Sequence, residues 1–110
     1  MGRSERERFN DHVASLLRRL GIEVDELPDG QRRDLIEQAR DRHDNEHEAA
    51  LYIGYALVPA VLADDVEKGR VLIDRLAVTA EAWDDEELVD RSRLRDSDSS
   101  ARAALRRALR

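Results

Sequence analysis

AALYIGYALVPAVLA, residues 49–63, decides how this chain folds. It carries no charge, and Asp64 and Asp65 close it directly. As a helix it is apolar on every side, so every side must be covered by something other than water. Its 15 residues fall short of the roughly 18 to 20 that span a bilayer. Two tyrosines, a glycine and a proline weaken it further as a membrane segment. The covering is therefore expected from protein. A chain of 110 residues has little material for that, so a homodimer or higher assembly is expected, with Leu51, Tyr52, Tyr55, Val58 and Leu62 at the interface. Pro59 cannot donate an amide to the preceding turn, which predicts a kink or break near Tyr55 to Leu62.

Working back from this stretch, Leu35, Ile36 and Ala39 share a helical stripe with Ala50, Ile53, Gly54, Leu57, Val58 and Val61. The periodicity predicts one long central helix, opened near Pro28 to Gln31 and continuing to Leu62. GIEVDELPDG, residues 21–30, reads as a connection, with turn chemistry at Leu27-Pro28-Asp29-Gly30. Before it, Phe9, Val13, Leu16, Leu17 and Leu20 predict a first helix from Ser4 to Leu20, stopped by Gly21.

Working forward, Asp64 or Asp65 can cap a helix reaching about Ala82. Val66, Gly69, Leu72, Ile73, Leu76, Ala77, Ala80 and Trp83 form its main face, and Val71, Val78 and Ala82 a narrow second stripe. Asp84 to Glu87 places acids where a helix start favours them, predicting a short helix from Asp85 to Leu94. DSDSS, residues 96–100, reads as a break and a set of N-caps. SSARAALRRALR then sets Ala101, Ala104, Leu105, Ala108 and Leu109 against Arg102, Arg106, Arg107 and Arg110. No stretch alternates like a strand. The expected fold is all-α: a small bundle of four to five helices over residues 1–95, followed by a basic amphipathic helix over residues 96–110.

The chain has no cysteine, which excludes disulfides, thiolate metal sites and thiol catalysis. MGRSERERFNDH at the start lacks the apolar core of a signal peptide, and a cytoplasmic protein is expected. Charge is unevenly spread. Residues 1–20 carry five arginines against three acids, residues 21–90 seven basic residues against twenty acids, and residues 91–110 seven arginines against two aspartates. A basic tail beside an acidic body suggests docking on itself, on a neighbouring copy or on another protein. Nucleic acid is disfavoured by the acidic body and the scarcity of stacking aromatics. A membrane surface is disfavoured by the small, alanine-rich apolar face.

The one candidate site is RHDNEHEAAL, residues 42–51. On a continuous helix His43, Glu46 and His47 prolong the buried stripe with polar groups, which are costly to bury unpaired. They are expected either at a polar rim of the bundle, or as ligands of a divalent ion such as zinc, or as a pH-sensitive contact. Histidines four apart on one helix face can share an ion, with Glu46 as a further ligand and His12 brought in from an antiparallel neighbour. The string HDNEH matches the H-x-x-E-H of inverted zinc peptidases, but the chain offers little of a third ligand or a substrate cleft. Phosphate-binding glycine loops and calcium loops are absent. Two function classes follow: a non-enzymatic helical interaction protein, acting as an oligomeric adaptor, regulator or assembly component, and a metal-binding bundle that extends to a metalloenzyme.

Overall fold

The computed structural model describes residues 4–110 and is all-α. Its elements are α1 (Glu5–Arg19), a 3-10 turn (Val24–Glu26), α2 (Asp29–Arg42), α3 (Glu46–Asp64), α4 (Val66–Asp85), a second 3-10 turn (Arg91–Leu94) and α5 (Arg95–Ala108). Among the described residues there is no strand.

The limits of α1 follow its sequence punctuation. The Ser4 hydroxyl accepts from the Glu7 amide at 3.2 Å, which satisfies one of the free donors of the first turn. Gly21 ends the helix at φ 79°, a left-handed conformation that costs glycine nothing. Arg75 lies across this glycine and donates from Nη1 to the Leu20 carbonyl at 3.0 Å.

The predicted long central helix is two helices. His43 is extended at φ −136°, ψ 116°, and Asn45 is extended as the N-cap of α3. The Asn45 side chain holds both sides of the break: Oδ1 accepts from the Glu48 amide at 3.0 Å, and Nδ2 donates to the Leu88 carbonyl at 2.6 Å. The chain then runs unbroken through Pro59 to Asp64. The predicted helix from Asp85 to Leu94 is absent. α4 instead extends to Asp85, Glu87 turns left-handed at φ 63°, and the Leu88 amide returns to the Trp83 carbonyl at 2.8 Å. DSDSS is not a break. It lies in the first turns of α5, where Asp96 and Asp98 complement the helix dipole and Asp98 accepts from Arg102 Nε at 3.0 Å.

α3 is the axis of the bundle and packs against α1, α2, α4 and α5. Leu51, Tyr55, Val58 and Leu62, together with Ala49, Ala50, Ile53 and Leu57, are buried within one copy, and Tyr52 is half-buried. This corrects the expectation that a second copy must cover them. The chain supplies the sheath by folding α1 and α2 onto one part of α3 and α4 and α5 onto the rest. Only Ala56, Pro59, Ala60 and Ala63 of the apolar stretch are exposed, and all four are small. α3 and α4 approach closely at two glycines. A methyl group on Gly54 would overlap Leu76, and one on Gly69 would overlap the Leu62 side chain and stand 3.2 Å from its Cα. Ala101 and Ala104 carry α5 into the same core. No described helix is long and apolar enough to cross a membrane.

Candidate functional site

The break between α2 and α3 separates the two histidines that a single helix would have aligned. His43 caps α2 and is buried, 6% exposed, beside Glu48, which is 3% exposed. Its Nδ1 lies 3.1 Å from Glu48 Oε1. The other carboxylate oxygen of Glu48 accepts from the Asp90 amide at 3.0 Å, and Arg93 Nη1 stands 3.5 Å from Oε1. With Asn45 bonded to the Leu88 carbonyl, these groups tie the α2–α3 corner to the segment after α4. At this corner the buried His43 and Glu48 side chains each have a partner within the chain, as burial demands. The tilted contact between the His43 and Tyr52 rings, 5.6 Å between centroids, packs the same corner.

His47 faces the other way. Its ring meets His12 edge-on at 5.5 Å and Trp83 edge-on at 4.9 Å, while His12 Nδ1 pairs with Glu46 Oε2. α1 does bring His12 to Glu46 and His47, joining α1, α3 and α4, but it runs in the same direction as α3 and not antiparallel to it: His12 meets the start of α3, and Ile22, just beyond α1, meets Gly54 further along. Burial holds the His47 pKa below its ordinary 6.5, and the neighbouring His12 adds to the effect. The shared ion on one helix face is not the arrangement found. His43 and His47 sit on opposite sides of the break with different partners, and among the described residues no group of three His, Asp or Glu side chains is arranged to hold a metal. Two of the four residues singled out as ligands, His12 and Glu46, satisfy each other. His43 belongs to the corner.

A broad opening on the surface lies elsewhere. A cleft of about 770 Å³ separates the α1–α2 connection from the end of α3 and the start of α4. Ile22 and Leu27 line it on one side, Leu57 and Val61 come from α3, and Val71 and Leu72 from α4. Leu57 and Leu72 are core residues, so the cleft opens directly onto the core. Glu23, Glu26, Asp64, Asp65 and Glu67 stand exposed around it, against Lys68 and Arg75. The sequence marks GIEVDELPDG as a connection and does not by itself announce this cleft. The available signal was the spacing of Ile22, Val24 and Leu27 through an acidic segment. Val24 is buried as an anchor, and its two neighbours remain half-buried at the cleft.

A second cleft of about 400 Å³ lies between α4 and α5, lined by Tyr55, Asp84, Arg91, Arg95, Asp98 and Arg102 among others. Both of its carboxylates are engaged within the chain. Asp98 holds Arg102, and Asp84 accepts from the Arg91 amide at 3.5 Å. Burial, and then the Asp98 carboxylate beside it, push the Tyr55 hydroxyl up to about 12.

Compared with protein-family models, with curated proteins and with solved structures, the chain matches none.

Proposed function

We propose that this protein is a non-enzymatic interaction module, and that the cleft between the α1–α2 connection and the α3–α4 turn is where it binds. The observation that carries this reading is the composition of the cleft: an apolar floor continuous with the core, and a rim on which five carboxylates outnumber two cations. An opening of this kind suits an amphipathic helix, which lays apolar side chains on the floor and keeps basic ones at the rim. Its polar groups stand at the edge and do not converge inside, unlike the few placed polar groups of a small-molecule pocket. Among the described residues, none of Glu23, Glu26, Asp64 and Glu67 has a cationic side chain at ion-pairing distance, so the acidic edge is available to a basic partner.

Fluorescence anisotropy with a labelled synthetic helix of leucine and arginine tests this. Saturable binding is expected that weakens as salt rises, because the rim contribution is screened. Val61→Glu sets a charge on the floor at a half-buried position and is expected to weaken binding about tenfold or more, the effect of stranding one buried charge. Binding that does not saturate, or that is indifferent to Val61→Glu, would overturn the reading.

A further inference from the structure

We propose that the occupant of the cleft is the end of α5 from a second copy, residues 105–110, so that copies associate head to tail. The inference rests on the cleft being an interaction surface and adds what fills it.

Leu109 is 58% exposed, one of three large apolar side chains that the described residues leave in water; the others are Val71, which lines the cleft, and Val78. Around Leu109 stand Arg106, Arg107 and Arg110, all exposed and, among the described residues, in no ion pair. A leucine ringed by unpaired arginines is the chemical complement of an apolar floor ringed by unpaired carboxylates. The buried face of α5 ends at Ala104, with Leu105 half-buried, so the last turn of the helix projects beyond the surface that anchors it. That turn is already helical, so little further ordering is needed on docking.

The match is between copies. No residue of α5 lines the cleft of its own chain. Ala101 and Ala104 hold α5 in the core, and Asp98 hydrogen-bonds Tyr55 of α3, so α5 does not leave without opening the bundle. Because the cleft and the α5 end are different surfaces, the contact is heterologous. Repetition gives a ring or an open chain rather than a two-fold dimer.

Sedimentation equilibrium on the full chain and on two variants tests this. The end variant is Arg106→Gln, Arg107→Gln and Leu109→Gln. The cleft variant is Glu23→Lys, Glu26→Lys and Val71→Lys. All six positions are exposed, and unchanged helicity by circular dichroism controls for folding. The unaltered chain is expected to gain mass with concentration, with association falling about tenfold or more as salt rises into the range where the Debye length is a few ångströms. Each variant alone is expected to stay monomeric. Their equimolar mixture is expected to form a one-to-one dimer and nothing larger, since one retains a cleft and the other an α5 end. An unaltered chain that stays monomeric at high micromolar concentration would overturn the inference, as would a mixture that fails to dimerise. If the unaltered chain is monomeric while the leucine–arginine helix binds, the occupant is a foreign basic helix and the cleft stands. If that helix fails as well, both readings fall. Association that survives in both variants and is lost on Val78→Lys would replace head-to-tail docking with contact through the outer face of α4.

Discussion

At the scale of residues, the molecule turns on Glu48. One buried carboxylate accepts from the Asp90 amide and pairs with His43, while its own amide is capped by Asn45. Removing it strands a buried imidazole and a backbone donor together. Glu48→Ala is therefore expected to cost about 3 kcal/mol, read from urea denaturation. A loss under 1 kcal/mol would mean that the corner does not hold the fold. His47 gives a pH signature. Its folded pKa is depressed, by burial first and then by His12, with Glu46 and Glu86 opposing and Arg19 assisting. The unfolded chain thus binds the proton more readily, so the stability due to neutral His47 is present above about 6.5 and is lost as pH falls through the lower folded value. His47→Gln is expected to flatten the melting temperature on the acid side of 6.5, and an unchanged acid limb would contradict the assignment. None of this was legible from the helical wheel. On a continuous helix His43, Glu46 and His47 share one face, and only the break at Asn45 sends them to different neighbours.

At the scale of elements, what was legible were ends marked by a cap or a left-handed glycine. Ser4 and Gly21 bound α1, and Asp65 starts α4 by accepting from the Glu67 and Lys68 amides at 3.0 and 3.2 Å. The break before α3 was marked too, by Asn45 with Glu48 three residues on, the pattern of a helix start. The apolar stripe hid it, because α2 and α3 both turn their apolar residues to the same core and the periodicity continues across the corner. The end of α4 left no comparable mark, since it turns on Glu87 in a conformation usually left to glycine. Packing between α3 and α4 depends on absent side chains at Gly54 and Gly69. Gly69→Val is expected to destabilise the fold by about 1 to 3 kcal/mol, since its first branch meets both the Leu62 side chain and its backbone. A thermal melt checks this, and a neutral result would show that the two helices can separate at little cost.

At the scale of the whole molecule, α3 is surrounded by helices of its own chain. The hydropathy of residues 49–63 states correctly that the stretch needs cover on every side, but it does not say where the cover comes from. The residues expected to meet another copy, Leu51, Tyr55, Val58 and Leu62, are spent on the bundle itself. What remains for a partner is what the bundle leaves open: the acidic cleft at one end of the α3–α4 pair and the basic end of α5. The uneven charge along the sequence pointed to such a pairing, but only the fold shows which acids stand together and that the arginines around Leu109 project free of the core.

Amide hydrogen exchange on a sample dilute enough to be monomeric tests most directly whether one copy covers its own central helix. The amides of Ala50 to Val58 are expected to exchange only through global unfolding, with the same opening free energy as Leu16, Leu17 and Leu76. Rapid exchange in that stretch, slowed only when concentration drives association, would show that another copy provides the cover, and would contradict the account.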